Sequence, residues 1–344
     1  MSLTVDIEPT NHCNAQCHFC PRDATPHQGQ MTAEVFAQTL QRATELRSQL
    51  GADFPIQLCG LGEPLINPLT PSFVRQIREA GFECGLSSNA SLLDEKRGRA
   101  LLDAGLQSIH INVGEEGSDY ESVYKLPFQR TRDNVLRFFE MAGKRCRVDI
   151  VLVDYKRDPA HRHRMTEYWR SLGLKRFMYF DLINRGGALF VDDMLYQGYP
   201  ETAQARELLR QRGIRPACAA PFVFLFVGYN GQYYLCCSDW KKEAPLGSVF
   251  DTSFVEITKR KFDHVASREP VCKKCNLDPI NELTGVLRQI KSGSEPDRTR
   301  DELLESIATR SKFVDGVVAE LAAAEANSPK SVERPRVTIP IVAR

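Results

Sequence analysis

The stretch NHCNAQCHFC, residues 11–20, places Cys13, Cys17 and Cys20 within eight positions, directly after the strand-like segment TVDIEP. A structural zinc ion takes four protein ligands, so three cysteines leave one coordination position open. His12 or His18 can fill that position if the metal is zinc. If the metal centre is a 4Fe–4S cluster, an exogenous ligand can bind its fourth iron. Cys13, Cys17 and Cys20 are called the first cysteine set below.

The chain from Thr4 to about Ile183 alternates strand-like apolar segments with segments of helical length. The six strand-like segments are TVDIEP, PIQLC, ECGLSS, QSIHINV, CRVDIVLV and KRFMYFDLI. Amphipathic stretches follow the first five, as in residues 32–50. This alternation predicts an α/β fold, a partial (β/α)6 parallel barrel. Ligands of such sheets bind at the carboxyl ends of the strands, where the first cysteine set lies.

The spacing C-x3-C-x2-C, with the aromatic Phe19 before the last cysteine, resembles the signature of radical S-adenosylmethionine (SAM) enzymes. The resemblance implies that the first cysteine set binds a 4Fe–4S cluster. The amine and carboxylate of SAM would then chelate the open iron. One-electron reduction would release a deoxyadenosyl radical that abstracts hydrogen from a substrate. Zinc remains the alternative on spacing alone.

Four later motifs follow the second, third, fourth and sixth predicted strands in the order that this family shows. CGLGEPLINP resembles the family's GGE motif with Leu61 replacing a glycine, and SSNASLL resembles its T-N-G-x-L-L segment. INVGEE and LINRGG complete the series. A turn, a helix N-cap and a surface salt bridge are the competing interpretations of the single motifs. The resemblance implies the following SAM or substrate contacts: Phe19, Gly60, Gly62, Glu63, Ser88, Asn89, Asn112 and Arg185.

Four further cysteines, Cys218, Cys236, Cys272 and Cys275, form what is called the second cysteine set below. Twelve residues, Gly231 and four more residues separate its first two members, and its last two form C-x2-C. The pattern resembles the twitch version of the SPASM extension, which holds one auxiliary 4Fe–4S cluster. A full SPASM domain, with two auxiliary clusters, needs more than the five cysteines after Arg185. A structural zinc ribbon is the alternative.

The remaining cysteines are expected to be structural. Cys237 follows a predicted ligand on a strand, so its side chain should point to the opposite face and pack in the core. A hydrogen-atom donor to a product radical is the alternative role for Cys237. Cys59, Cys84 and Cys146 lie in apolar strands and are expected in the core. The HRHR run at 161–164 predicts a solvated helix face.

The overall composition excludes several function classes. The chain has 344 residues, with 45 basic and 44 acidic side chains, so no basic excess favours nucleic-acid binding. No apolar run reaches the roughly 18–20 residues of a membrane span. The N-terminus lacks the features of a signal peptide, so we expect a cytoplasmic protein. Eleven cysteines in a reducing compartment indicate metal binding more than disulfides.

The domain organisation predicted from these patterns has three parts. Residues 1–200 form the radical SAM core, 213–292 the auxiliary iron–sulfur domain, and 293–344 a C-terminal helix with a flexible tail. Asn230 and Gly231 predict a hairpin within the auxiliary domain. Helical periodicity predicts a helix over residues 300–326.

The resemblance also guides the choice of reaction. Peptide-maturing relatives usually carry a recognition domain before the first cluster, where this chain has twelve residues, so we expect a small-molecule substrate. A sugar, cyclitol or nucleoside in natural-product biosynthesis fits best, with decarboxylation of a sugar acid of the cytosylglucuronate type leading. Alcohol dehydrogenation, epimerisation and peptide maturation are the alternatives. The auxiliary cluster would move electrons, and flavodoxin or ferredoxin would supply them. A non-enzymatic zinc scaffold is the competing class, and no catalytic side chain is identifiable.

Overall fold

The structure is a computed structural model that describes residues 3–189, 199–268, 270–296 and 298–326. The predicted tail after Ala326 lies outside the described residues. So do residues 190–198, near the end of the predicted radical SAM core.

The described residues contain nine strands and twelve α-helices. The strands are β1 (Thr4–Ile7), β2 (Ile56–Leu58), β3 (Cys84–Ser88), β4 (Ser108–Asn112), β5 (Arg147–Asp154), β6 (Phe177–Asp181), β7 (Phe224–Val227), β8 (Gln232–Tyr234) and β9 (Pro245–Ser248). The helices are α1 (Ala33–Leu50), α2 (Thr70–Glu79), α3 (Glu95–Asp103), α4 (Gly117–Tyr124), α5 (Phe128–Ala142), α6 (Pro159–Ser171), α7 (Glu201–Gln211), α8 (Ala220–Val223), α9 (Phe254–Ser267), α10 (Pro270–Lys274), α11 (Pro279–Lys291) and α12 (Arg300–Ala326).

All nine strands belong to one sheet in the order β6-β5-β4-β3-β2-β1-β7-β8-β9. Strands β1 to β6 pair in parallel, which confirms the predicted partial barrel. Strand β7 also pairs in parallel with β1, in the register Thr4↔Phe224. β8 and β9 then continue the sheet antiparallel. The predicted hairpin is therefore an extension of the barrel sheet, not a sheet of its own.

The two faces of the strands differ in character because side chains alternate along each strand. Val5 and Ile7 of β1 are fully buried in the apolar core, together with Ile56 and Leu58 of β2. The side chains between them point to the concave face of the sheet, and many are polar. This inward face carries Asp6, Glu8, Gln57, Cys59, Ser87, His110, Asn112 and Asp149.

Local signals explain the first helix. The Thr32 side chain accepts a hydrogen bond from Val35 N–H, which caps the start of α1. Gly51 ends the helix at φ +60°, a left-handed conformation that glycine adopts without strain. Phe36 of α1 stacks on Phe73 of α2 with ring centroids 4.1 Å apart, which packs both helices on the sheet.

The C-terminal helices form a second, smaller core. Leu209 of α7, Leu283 of α11 and Ile307 of α12 are buried together. Helix α12 matches the predicted range of 300–326 residue for residue. None of the helices in the described part of the chain has the length and apolar character needed to cross a bilayer.

Candidate active site

The first cysteine set lies in the loop after β1, at the carboxyl edge of the parallel strands. The loop is braced by its own backbone, since Cys20 N–H donates to Cys17 O over 3.0 Å. The Arg22 guanidinium donates to Cys13 O at 2.8 Å and to Ala15 O at 2.6 Å. All three cysteines are half-buried. The loop therefore has a defined shape with its thiols partly accessible.

The three thiols influence one another electrostatically. Burial raises the pKa of Cys17, and the neighbouring Cys20 and Cys13 raise it further. Burial also raises the pKa of Cys20 to about 11, while the positive charge of Arg185 opposes the shift. Among the described residues, no three His, Cys, Asp or Glu side chains are close enough to hold a single metal ion. A donor set of three grouped thiols fits a 4Fe–4S cluster with one open iron.

The loop after β2 packs directly on the cysteine loop. A Cβ on Gly62 would lie 2.4 Å from the backbone oxygens of both Thr10 and His12, so only glycine fits. Glu63 N–H donates to His12 O at 2.9 Å. Gly60, at φ +152°, lies against the Glu8 side chain. The segment that resembles the GGE motif is thus held against the first cysteine set.

Glu63 connects this loop to the segment after β3. Its carboxylate accepts hydrogen bonds from Ser88 Oγ at 2.9 Å, Asn89 N–H at 2.7 Å and Leu65 N–H at 3.1 Å. Because the group is fully buried, its pKa is raised to about 7, against the effect of these donors. The carboxylate is saturated by the protein, so its role is to fix the two loops.

Several other predicted contacts lie at this edge. Asn89 Nδ2 is 3.9 Å from Cys13 Sγ and donates to Asn14 Oδ1 at 3.1 Å. Asn112, at the end of β4, donates to Ser87 Oγ at 3.3 Å on the inward face. The structure therefore brings the segments that carry Gly60, Gly62, Glu63, Ser88 and Asn89 to the first cysteine set.

Phe19 leads to a network that sequence reasoning missed. Its ring stacks on Tyr155 with centroids 5.0 Å apart, and the Tyr155 hydroxyl donates to Glu115. Glu115 also lies 2.7 Å from Lys156 Nζ and 3.0 Å from His161 Nε2. The only feature of the sequence that could have indicated this network is the pair of acidic residues that ends INVGEE. His161 is 5% exposed, so the prediction of a solvated HRHR face is wrong at this residue, because it turns inward to the buried Glu115.

Arg185 lies between the two cysteine sets. Its charge acts on Cys20 of the first set and on Cys237 beside the second. The guanidinium lies over the Trp240 ring, 5.2 Å from its centroid. Among the described residues no carboxylate forms a salt bridge with it, so the surface salt bridge considered from the sequence is not what the structure shows.

The second cysteine set is assembled from three separate segments: the one before α8, the end of the hairpin, and α10 with its following residue. Burial raises the pKa of Cys218 well above its usual value, and Cys275 and Cys272 raise it further. Asn281 Nδ2 of α11 donates to Cys275 O at 2.8 Å and so fixes the C-x2-C turn. This thiol set fits a cluster with all four irons ligated by protein.

Four cysteines were expected in the core, and two of them, Cys84 and Cys146, are buried in the main core. The other two, Cys59 and Cys237, are placed differently. Cys59 is half-buried, points to the inward face and donates its thiol hydrogen to Asp6. The core prediction is wrong for Cys59 because inward side chains of this sheet line the barrel interior. Cys237 is half-buried and lies outside the apolar clusters. The expectation that it packs in the core assumed strand alternation, which does not extend to Cys237 because β8 ends at Tyr234.

Comparisons with known proteins agree with this geometry. Residues 7–167 match the family model described as the radical SAM superfamily, and residues 218–276 match the SPASM iron–sulfur cluster-binding domain. The chain therefore contains a radical SAM domain followed by a SPASM iron–sulfur cluster-binding domain. The radical SAM domain implies a 4Fe–4S cluster and SAM, and the SPASM domain implies auxiliary iron–sulfur chemistry.

The similar proteins share the fold more than the sequence. The tungsten-containing aldehyde ferredoxin oxidoreductase cofactor-modifying protein of Pyrococcus furiosus is 27% identical over 112 residues, 31% of this chain and 29% of that protein. The chain thus spans less than a third of that relative. The structure of anSMEcpe with bound AdoMet superposes with a TM-score of 0.59 at 16% identity, covering 94% of this chain and 98% of that one. BtrN in complex with AdoMet and 2-DOIA gives 0.52 at 17% identity, covering 80% and 93%.

Proposed function

We propose that this protein is a radical SAM enzyme that abstracts hydrogen from a small polar substrate bound inside the barrel. The supporting observation is the polar inward face between the two cysteine sets. Gln57, Ser87, His110 and Asn112 line it and are all half-buried. A hydroxylated molecule such as a sugar, cyclitol or nucleoside would find hydrogen-bond partners there.

The chain's own residues have distinct tasks in this proposal. The first cysteine set holds the cluster, while the loops joined by Glu63 position SAM beside it. When bound, the cluster and SAM supply a deoxyadenosyl radical that abstracts a substrate hydrogen. Arg185, whose charge acts on both Cys20 and Cys237, lies between the two cysteine sets and is proposed to contact SAM or the substrate. A flavodoxin or ferredoxin is the proposed electron donor.

Decarboxylation of a sugar acid of the cytosylglucuronate type is our leading reaction, with alcohol dehydrogenation second. After hydrogen abstraction, loss of CO2 from the carboxylate leaves a radical anion that needs one electron and two protons to become the reduced product. Dehydrogenation instead requires the substrate radical to lose an electron and a proton. A fully ligated auxiliary cluster at the second cysteine set can exchange one electron in either direction.

The test uses reconstituted enzyme with SAM, dithionite and cytosylglucuronate deuterated on the sugar ring. We expect deuterated deoxyadenosine and stoichiometric CO2. Deuterium transfer without CO2 would favour dehydrogenation or epimerisation, which the product mass distinguishes. Absence of deuterium transfer from this compound would contradict a sugar-acid substrate.

Peptide maturation is the second candidate, and one observation favours it. A cleft of about 1420 Å³ opens at the carboxyl ends of β5 and β6 and is lined by Asp154, Asp181, Leu277 and Arg288, among others. Small-ligand pockets are usually about 300–1,000 Å³. A peptide could lie in this cleft and present one residue to the barrel interior. A crosslinked or oxidised peptide product would establish this alternative.

A further inference from the structure

The turn after the hairpin contains Lys242, a lysine with a left-handed backbone conformation and a buried side chain. Residues 238–244 follow Cys236 of the second cysteine set, and the Asp239 carboxylate braces them by accepting hydrogen bonds from Glu243 N–H at 2.9 Å and Ala244 N–H at 3.0 Å. Within this turn Lys242 has φ +57°. A left-handed conformation is uncommon for a residue with a side chain, and such strain is concentrated at functional sites.

The Lys242 side chain runs inward and is only 9% exposed. Its ammonium lies 4.4 Å from the centroid of the Phe226 ring and 4.0 Å from that of Tyr234. Among the described residues, no atom accepts a hydrogen bond from Nζ. The two cation–π contacts stabilise the ammonium charge, but the three N–H donors of the ammonium group make no hydrogen bond to the described residues.

The nearest carboxylate, Glu8, already has other partners. Its Oε2 is 3.8 Å from Lys242 Nζ and accepts Tyr229 N–H at 3.3 Å, while Oε1 accepts Leu61 N–H at 3.0 Å. Leu61 belongs to the loop that resembles the GGE motif. Lys242 therefore reaches the barrel interior beside the loop proposed to bind SAM.

Pairing with the buried Glu8 carboxylate accounts for the positive charge of Lys242 but not for its unused N–H donors. A buried amine without hydrogen bonds destabilises the fold, and burial lowers the pKa of Lys242 despite the nearby Glu8. An apolar side chain would fill the space against Phe226 and Tyr234 without a buried amine, although it would leave the buried Glu8 carboxylate without this positive neighbour. The neighbouring Trp240 Nε1 is also buried and lacks a hydrogen-bond partner among the described residues. The turn thus offers donors and no free acceptor.

We infer that Lys242 binds an anionic group of the substrate through its ammonium and so selects acidic over neutral substrates. This inference rests on the proposed hydrogen abstraction within the barrel. A carboxylate or a phosphate could supply the negative charge, and the sugar-acid proposal favours a carboxylate. The flexible lysine stem allows the ammonium to exchange its distant contact with Glu8 for a direct hydrogen bond.

The experiment measures binding to SAM-loaded holoenzyme by calorimetry. The probes are cytosylglucuronate, the neutral cytosylglucose and its 6-phosphate. We expect wild type to prefer the carboxylate over the neutral sugar by about tenfold or more, the usual effect of a charged hydrogen bond. A stronger preference for the phosphate would identify phosphate as the anionic group.

Three variants separate charge recognition from structure. Lys242→Met should lose the preference for acidic probes while binding the neutral sugar as before, and Lys242→Arg should retain much of it. Lys241→Met removes the adjacent lysine and is the matched control. Iron content and SAM cleavage without substrate report whether each variant is folded and loaded.

The outcomes distinguish this inference from the proposed function. If wild type does not prefer either anionic probe, or if Lys242→Met leaves the preference unchanged, the inference is wrong. Acid binding that depends on Lys242 but yields no CO2 would support the inference and contradict decarboxylation. CO2 release by an enzyme whose substrate binding does not depend on Lys242 would support decarboxylation and contradict the inference.

Discussion

The two cysteine sets differ in how the chain assembles them. The first comes from one loop of eight residues, with its three thiols partly accessible. The second spans residues 218–275, draws on three segments and includes Cys275, which is only 8% exposed. Three thiols leave one iron of a 4Fe–4S cluster open for a ligand, whereas four thiols can ligate every iron. The first set is therefore suited to binding SAM and the second to exchanging electrons and joining segments.

The largest expected effect tests the first set. Cys17→Ala should abolish deoxyadenosine formation with dithionite, because a cluster missing one of three ligands cannot present an open iron to SAM. Liquid chromatography of the quenched reaction measures the product. Cys146→Ala, which removes a buried thiol of the main core, is the control and should keep wild-type product levels. Wild-type deoxyadenosine from Cys17→Ala would overturn the assignment.

The second set should be dispensable for radical formation but not for turnover. Wild type should load about eight iron atoms per chain, four for each of two clusters, and Cys272→Ala with Cys275→Ala about four. The double variant should still form deoxyadenosine and take deuterium from the substrate, yet release no final product. Iron analysis and product mass spectrometry check this. Normal product from a verified single-cluster enzyme would exclude the electron-transfer role.

An effect of pH on stability is expected from Glu63, which joins the loops at the first set. Burial raises the pKa of Glu63 from 4.5 to about 7, so the folded state binds this proton more tightly than the unfolded state. The free energy of unfolding should therefore fall as pH rises from about 4.5 to about 7, by up to about 3 kcal/mol. Urea unfolding followed by circular dichroism measures it. Glu63→Gln should lose this component, and a pH profile identical to that of wild type would show that Glu63 is not its source.

Glu63→Gln should also weaken SAM binding by about tenfold. The amide nitrogen of Gln would face a donor, either Asn89 N–H or Ser88 Oγ, where the carboxylate accepts hydrogen bonds. The loops after β2 and β3 should then hold SAM less firmly. Equilibrium dialysis of SAM against reconstituted enzyme gives the dissociation constant. Iron content should stay at the wild-type value, which separates this effect from loss of the first cluster.

The smallest effect concerns the hairpin of the second set. Gly231 has φ +75°, and an added Cβ would lie 3.0 Å from Val249 and 3.1 Å from Val35. Gly213→Ala is the control, because Gly213 has φ +62° with nothing within 4 Å. Gly213→Ala should cost about 1 kcal/mol of stability through backbone strain, and Gly231→Ala more. Equal urea midpoints for the two variants would show that the hairpin tolerates the contacts.

The sequence predicts the features that depend on local periodicity. Six parallel strands and helix α12 follow from alternation and helical spacing, which are readable within short windows. Motif order then places the cysteine loop and the loop with Glu63 on the same edge. The family comparison confirms the radical SAM and SPASM parts, while individual SAM contacts and domain boundaries stay predictions.

Features that depend on long-range contacts were not predictable. An apolar strand does not specify its partner, so nothing in Phe224–Val227 indicated pairing with β1. Cys59 looks like a core residue in sequence, since alternation does not show which face meets the barrel interior. The stacking of Phe19 on Tyr155 joins residues 136 positions apart, and no spacing rule connects them.

The pairing of β7 with β1 also governs motion. The loop with the first cysteine set leaves β1, and the hairpin that leads to Cys236 leaves β7, the adjacent strand of the same hydrogen-bonded ladder. A hinge between strands β1–β6 and strands β7–β9 would have to break four register pairs, from Thr4↔Phe224 to Ile7↔Val227. The ladder therefore opposes a change in the distance between the first cysteine set and Cys236. We expect a substrate to enter past side chains and loops, not through an opening between these strands.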